Sequence, residues 1–132
     1  MTITQTVEFK NTGPATLYEL YMNAKKHSES TGAPATITPK EGAPFTAHGD
    51  YISGKNLTLV KGQLIVQTWR ASDWDPSVSD SIFMIHLASN GKNVTLRMVH
   101  ANLPDDQADS INTGWETYYW EPWRKYLAAK EK

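Results

Sequence analysis

The chain has 132 residues with 13 basic and 14 acidic side chains, a formal net charge of −1 and no cysteine. A chain of this length buries about two-thirds of its unfolded surface, so one domain over residues 1–132 is expected to fold without metal or disulfide. The balanced charge argues against a nucleic-acid partner and an electrostatic membrane anchor. Lack of cysteine, of a signal-peptide core and of any apolar run of roughly 18 residues favours a cytoplasmic protein.

The first part of the chain predicts one strand followed by two short helices. Apolar residues alternate with polar ones over residues 3–9, which is typical of a half-buried strand. Pro14 suits the first turn of a helix, where its missing N–H costs nothing, and Asn23 separates this helix from a second one over residues 24–31. Gly32 ends the second helix, and a loop rich in proline and glycine follows.

The middle of the chain predicts a meander of antiparallel strands. Gly49-Asp50 and Asn90-Gly91 are signals of hairpin turns, and Gly54 within a strand indicates a bulge or a bend in a curved sheet. Residues 71–80 form a longer loop. The predicted strands of the whole chain cover residues 3–9, 35–38, 45–48, 51–60, 63–70, 81–88 and 93–100.

The last helix is predicted to be the element around which the sheet folds. Pro104 and the acidic residues after it suit its first turn. Residues 114–127 contain three of the five tryptophans and three of the six tyrosines. On a helical wheel their apolar arc spans roughly 200°, wider than the stripe of an ordinary surface helix. Such a helix must be enclosed by a curved surface, and the antiparallel sheet is the element available to enclose it.

Two residues of this helix predict local departures from regular packing. Gly114 is expected to lie close against the sheet, because glycine costs a helix about 1 kcal/mol relative to alanine and a side chain there would crowd the strands. Pro122 lacks an N–H and its ring clashes with the preceding turn, so the helix is expected to bend or break near residues 118–121.

Two stretches of the chain resemble a known family. HGDYISGKNLTLVKGQLIVQTWRASDW and, later, GWETYYWEPWRKYL are similar in order and spacing to the heat shock protein 90 ATPase activator homologues. The resemblance runs from the first strand to Leu127. It implies the α+β helix-grip fold of the START-like, birch-pollen-allergen-like SRPBCC superfamily, in which a curved antiparallel sheet wraps around a long carboxy-terminal helix, with two short helices after the first strand.

The resemblance also implies what the protein could bind. A chaperone partner follows from the activator family, and a small hydrophobic ligand is common in the superfamily. In the eukaryotic activators an additional amino-terminal domain is associated with stimulating the chaperone, and this chain resembles only the carboxy-terminal half. Family members often carry aromatic residues where this chain has Ser30 and His48, which implies a different pocket shape here.

The polar residues show no spacing that a reaction demands. The four histidines are far apart and lack metal-ligand spacing, and the aspartates of residues 73–80 lack the glycine and glutamate of a calcium loop. The candidates for acid–base chemistry are His48, His100, Glu116, Tyr118 and Tyr119. His100, Tyr118 and Tyr119 are explained as core residues on the enclosed face whose polar atoms find partners. Trp74, in a polar loop, indicates either a contact surface or a side chain folded over the sheet edge. No catalytic residue, metal or cofactor is assigned.

The space between the helix and the sheet is the predicted binding site. Its predicted lining residues are Phe45, His48, Trp69, Phe83, Ile85, Leu96, Met98, His100, Trp115, Tyr118 and Tyr119. The sequence therefore favours a non-catalytic binding protein for a small hydrophobic or amphiphilic ligand. The alternatives are a protein-interaction module related to the chaperone activators and, through some superfamily relatives, an enzyme acting on aromatic or polyketide-like substrates. The oligomeric state is left open.

Overall fold

The computed structural model describes residues 1–130, so the last two residues of the predicted 1–132 domain lie outside the described part. The strands are β1 (Ile3–Phe9), β2 (Ala35–Thr36), β3 (Pro44–Ala47), β4 (Ile52–Val60), β5 (Leu64–Ala71), β6 (Ser81–Asn90) and β7 (Asn93–Ala101). The helices are α1 (Pro14–Met22), α2 (Ala24–Thr31), α3 (Ala108–Trp115) and α4 (Glu121–Lys130). A π-helical turn over Glu116–Trp120 joins the last two helices.

The strands found within residues 1–130 form one sheet in the order β1-β7-β6-β5-β4-β3-β2. Every neighbouring pair is antiparallel. The predicted strands are confirmed to within two residues at either end. The helix-grip architecture is also confirmed, since the chain forms an antiparallel sheet with two short helices after β1 and a long helical segment at the end.

Close approach between neighbouring strands explains the glycine within β4. A Cβ atom at Gly54 would overlap the carbonyl oxygen of Thr68 on β5 and lie 2.7 Å from Cε1 of Phe45. Only glycine therefore fits at this position. The predicted bulge is present in β4, but it lies at Leu57, where the pairing with β5 shifts by one residue.

Alternating burial along the strands decides which face of the sheet meets the helices. The buried residues of β6 and β7 are Ser81, Phe83, Ile85, Leu87, Val94, Leu96, Met98 and His100. On this inner face Phe83 stacks on Trp115 with ring centroids 4.3 Å apart, and Phe9 contacts Trp123 at 5.8 Å. Such pairs add to the burial term, so the aromatic residues of the last helix fill the space over the middle of the sheet.

The π-helical turn changes which residues of the last helix face the sheet. The Glu121 N–H donates to the carbonyl of Glu116, five residues earlier. The turn thus holds one extra residue, which rotates later side chains by about 100° relative to a regular α-helix. Trp120 and Trp123 become fully buried, whereas Tyr118 is 59% exposed. The wheel placed Tyr118 on the enclosed face, and that prediction is wrong because of the extra residue.

Pro122 explains where the irregularity occurs. It is the second residue after the π-helical turn. Its missing N–H and bulky ring disfavour a regular hydrogen bond to the carbonyl four residues earlier. The expected disturbance near residues 118–121 is confirmed in position. Its form is a widened turn through which the helical backbone continues.

The start of the last helix differs from its prediction in two respects. Residues 104–107 form a turn closed by a 3.0 Å hydrogen bond from the Gln107 N–H to the Pro104 carbonyl, so the helix begins at Ala108. The expected crowding at Gly114 is also wrong. The nearest atoms to a Cβ there belong to Tyr118, at 3.6 and 3.9 Å, which is ordinary contact within the helix.

Candidate functional site

An open groove of about 530 Å³ lies between α3 and the end of the sheet at which β4 begins and β5 ends. Its lining residues are His48, Tyr51, Ile52, Trp69, Ala71, Gln107, Ser110, Ile111, Gly114, Trp115, Tyr118 and Tyr119. The volume falls within the range of about 300–1,000 Å³ that is typical of ligand sites. The groove is therefore the candidate functional site.

One wall of the groove is a single face of the helix. Ile111, Gly114 and Tyr118 recur at helical spacing and lie above one another along that face. The absence of a side chain at Gly114 leaves the groove open at this point. Gly114 therefore faces the open groove and does not face the sheet.

The opposite wall comes from the turn between β3 and β4. His48 lies in this turn with a left-handed backbone (φ 52°), followed by Gly49 (φ 68°). The His48 ring contacts Tyr118 and Tyr119, at centroid distances of 5.7 and 5.5 Å. Burial lowers the pKa of His48, so this wall carries no positive charge at neutral pH. The predicted strand over residues 45–48 ends one residue earlier, at Ala47.

The structure divides the predicted site residues into two groups. Those that line the groove are His48, Trp69, Trp115, Tyr118 and Tyr119. Those that are at most 2% exposed and lie in the packed core are Phe45, Phe83, Ile85, Leu96, Met98 and His100. The predicted pocket lay between the last helix and residues of β6 and β7, but the stacked rings of Phe83 and Trp115 occupy that space. The groove lies beyond them, at the end of the strands.

Several lining residues were missed by the sequence reasoning. The missed residues are Tyr51, Ile52, Ala71, Gln107, Ser110, Ile111 and Gly114. Ile111 carried a signal, because it shares a helical face with Trp115. The residues at strand ends and in turns carried none, since their meeting depends on how the sheet curves.

His100 is held neutral by a complete set of buried hydrogen bonds. The Trp115 indole N–H donates to His100 Nδ1 at 3.2 Å. His100 Nε2 lies 2.8 Å from Ser81 Oγ, which in turn donates to the Trp69 carbonyl at 2.6 Å. The hydroxyl has thus used its proton, so Nε2 carries the hydrogen. Burial lowers the pKa of His100 to about 3, which fits a packing role.

A second buried histidine joins α2 to the π-helical turn. His27 Nδ1 lies 2.8 Å from the Tyr21 carbonyl and Nε2 lies 3.0 Å from the Tyr119 hydroxyl. The carbonyl can only accept, so Nδ1 donates and Nε2 accepts from Tyr119. Burial, opposed by the bond to Tyr21 and assisted by a smaller effect of His48, lowers the pKa of His27 to about 4. Burial raises the pKa of Tyr119.

A chain of buried amides ties α1 to the sheet and to the loop before β3. The Tyr21 hydroxyl donates to Gln67 Oε1 at 2.8 Å, and Gln67 Nε2 donates to Asn56 Oδ1 at 2.9 Å. Asn56 Nδ2 then donates to the carbonyls of Thr38 and Lys40. These groups satisfy one another inside the protein and are not available to a substrate.

The loop between β5 and β6 is fixed by one arginine. The Arg70 guanidinium donates to Asp80 at 2.8 Å and to the carbonyls of Val78 and Asp75. Trp74 is 6% exposed and packs on Trp69. Its side chain therefore folds back on the sheet, which was one of the two interpretations of this residue, and does not form an exposed contact surface. Within residues 1–130 no cluster of ligating side chains could hold a metal ion.

The sheet closed around a carboxy-terminal helix, with a groove at one end, defines a helix-grip protein. The family model of activator of Hsp90 ATPase homolog 1-like proteins matches residues 11–128. The chain belongs to this family, and the resemblance found in its sequence is confirmed. Within residues 1–130, no helix is both long and apolar enough to cross a membrane.

One curated relative supports this assignment, and solved structures share the fold. An activator of 90 kDa heat shock protein ATPase homolog from Dictyostelium discoideum is 32% identical over 104 residues, which are 78% of this chain and 27% of that protein. The match therefore spans about a quarter of the relative's length. A crystal structure of an HSP90 activator from Plasmodium falciparum has a TM-score of 0.89 at 21% identity, covering 97% of this chain and 96% of that one. The solution structure of the Aha1 dimer from Colwellia psychrerythraea has a TM-score of 0.77 at 14% identity, with 92% of each chain covered.

Proposed function

We propose that this protein is an interaction module that binds a chaperone of the Hsp90 class. The observation that carries the proposal is the family match over residues 11–128. A relative named as an activator of the Hsp90 ATPase is 32% identical to it. The sequence alone favoured a small hydrophobic ligand first, and family membership moves the interaction module ahead of it. The proposal assigns binding, in the cytoplasm, and leaves stimulation of the ATPase to the longer relatives.

The rim of the groove supports a contact function. Tyr51 and Tyr118, 45% and 59% exposed, form its rim, and exposed aromatic residues are enriched at protein interfaces. The ring nitrogens of His27 and His100 are already paired inside the protein. Neither histidine is free to move a proton for a substrate.

Calorimetric titration of a purified Hsp90-class chaperone with the full chain tests the proposal. Tyr118→Ala is expected to weaken binding about tenfold, because an exposed aromatic side chain at an interface can be worth more than 1 kcal/mol. Leu57→Ala is the matched control, since Leu57 is 42% exposed on β4 and does not line the groove. Absence of binding, or equal loss in both variants, would reject the proposal.

A small amphiphilic ligand in the same groove is the second candidate. The volume of about 530 Å³ suits it, and Trp69 and Trp115 line the groove. A compound that enters should therefore change tryptophan emission. Titration with a series of apolar and amphiphilic compounds is expected to give saturable changes below about 1 mM if this candidate holds. A series that leaves the emission unchanged would remove it.

A further inference from the structure

Charged residues are distributed unevenly around the groove. Within two residues of its lining positions the chain places five aspartates, Asp50, Asp73, Asp105, Asp106 and Asp109, and two glutamates of the π-helical turn and α4. In the same set Arg70 is the single basic residue. The whole chain is nearly balanced, with 13 basic and 14 acidic residues. The excess of negative charge is therefore local to the groove.

Most of this negative charge lacks a partner at the rim. The one arginine is occupied by Asp80 and by loop carbonyls. The two glutamates pair with Arg124 and Lys125 on the helix itself. All five aspartates are exposed, and within residues 1–130 Asp50, Asp106 and Asp109 form no ion pair. Exposed aspartates without an ion pair in the described part of the chain thus lie within two residues of the groove lining, and we call the five aspartates the acidic rim.

Basic residues lie at the other end of the sheet. Lys10 follows the end of β1, Lys61 lies in the turn from β4 to β5, and Lys92 lies in the turn from β6 to β7. The groove lies where β4 begins and β5 ends. Glu8 and Glu41 lie at the same end, because Glu8 pairs with Thr95 and Glu41 accepts from the Leu59 N–H. The excess of acidic residues found next to the groove is therefore not repeated at this end.

We propose that the groove takes a segment of a partner protein in which an apolar or aromatic anchor residue is flanked by lysines or arginines. The proposal rests on the proposed function and names the chemistry by which the partner is recognised. The anchor would enter between Ile111 and Trp69, both of which line the groove. The flanking cations would meet the aspartates, which favours this partner and disfavours an acidic one. The exposed rings of Tyr51 and Tyr118 can also receive a cation on their faces.

Fluorescence anisotropy with two labelled peptides tests the proposal on the full chain. Both peptides carry the same central Leu-Phe pair, flanked by two lysines on each side in one and by two glutamates in the other. The lysine peptide is expected to bind about tenfold more tightly at low salt, and the difference should shrink as salt screens the charges. Equal binding of the two peptides would overturn the proposal.

A double variant and a matched control test the role of the rim. Asp106→Asn with Asp109→Asn is expected to weaken the lysine peptide about fivefold and to leave the glutamate peptide no weaker. Glu8→Gln removes one exposed charge on β1, away from the groove, and should change neither peptide. If the control weakens binding as much as the double variant, the effect is one of net charge and the proposal is wrong.

The chaperone titration separates this inference from the proposed function. If the chaperone binds and the aspartate variant binds it equally well, the acidic rim is not the recognition element and the function still stands. If the lysine peptide binds as described but no chaperone does, the recognition chemistry stands and the function fails. If light scattering shows a dimer whose groove the lysine peptide cannot enter, the occupant is a second copy and the inference is overturned.

Discussion

Tyr118 and Tyr119 are adjacent in the chain and have opposite surroundings. Tyr119 is 5% exposed and donates its hydroxyl proton to His27, whereas Tyr118 is 59% exposed at the rim of the groove. The two share the same chemistry and lie about 100° apart on a wheel. Their positions thus set their roles: Tyr119 forms a buried hydrogen bond, and Tyr118 contributes to the contact surface.

Replacing each tyrosine with phenylalanine should separate these roles. Tyr119→Phe leaves His27 Nε2 buried without a donor, so the free energy of unfolding should fall by about 1–3 kcal/mol. Tyr118→Phe removes a hydroxyl that water already reaches, and stability should change by less than about 0.5 kcal/mol. Urea unfolding of both variants measures the difference. Equal stabilities would mean that the His27 bond contributes nothing.

Two glycines should respond in opposite directions to alanine. At Gly114 the new methyl group has ordinary contacts with Tyr118, and alanine favours a helix over glycine, so Gly114→Ala should stabilise the protein by up to about 1 kcal/mol. At Gly54 the methyl group would overlap Thr68, so Gly54→Ala should cost more than about 2 kcal/mol or prevent folding. Thermal unfolding of the pair checks this. Destabilisation by Gly114→Ala would restore the close-packing idea.

At the level of elements, the π-helical turn adjusts the last helix to the sheet. Without its extra residue, Trp120 would lie about 140° from Trp115 on a regular wheel. With it, Trp120 stacks on Trp115 at 5.6 Å and donates its indole N–H to Gln5 on β1 at 2.7 Å. The turn therefore brings a second tryptophan onto the enclosed face, and this packing holds the helix against the first strand.

Deletion of one residue within the turn should be tolerated better than deletion before it. Thr117 is exposed, and removing it converts the turn to regular helix while leaving Trp120 and Trp123 in phase with Trp115. Deletion of Thr113, also exposed, rotates the first part of α3 away from the groove and core. The Thr117 deletion should retain the higher melting temperature in calorimetry. The reverse order would show that the widened turn itself is required.

Across the whole molecule, buried polar groups connect elements that the hydrophobic core alone would leave adjustable. The amide chain from Tyr21 through Gln67 links α1 to β5 and β4, and His100 links β7 to α3. Each link works only while its groups keep their present protonation state. Global stability should therefore depend on pH through the two buried histidines.

Acidification should destabilise the fold in the window that these histidines define. Their pKa values of about 4 for His27 and about 3 for His100 lie below the unfolded value of 6.5. Below pH 6.5 the unfolded chain binds more protons than the folded one, so the free energy of unfolding falls as the pH drops. The expected loss at pH 5 is about 2 kcal/mol for each histidine.

Urea unfolding at pH 7 and pH 5 measures this loss. The variant His86→Gln is the control, because His86 is exposed on β6 and its removal should leave the difference between the two pH values unchanged. Equal stability of the wild-type chain at both pH values would contradict the neutral buried state of His27 and His100.

Local patterns in the sequence were sufficient for the elements and their order. Alternation along residues 81–88 and 93–100 predicted two core strands, and the aromatic arc of residues 114–127 predicted an enclosed helix. These patterns identify the buried side of each element, because buried residues recur along a strand or a helix with the period of that element. The family resemblance extended them to the fold, and about half of the predicted lining residues do lie at the groove.

Tertiary structure alone decided where the open space lies. Phe83 and Trp115 were both predicted to line a pocket. Only their ring-centroid distance of 4.3 Å shows that they stack on each other and fill the space between the sheet and the helix. The groove forms where the turn at His48 meets α3, two segments about 60 residues apart in the chain. A period along one element specifies which side is buried, and it carries no information about how closely two distant elements approach. For that reason the sequence determined the fold, and the structure determined the site.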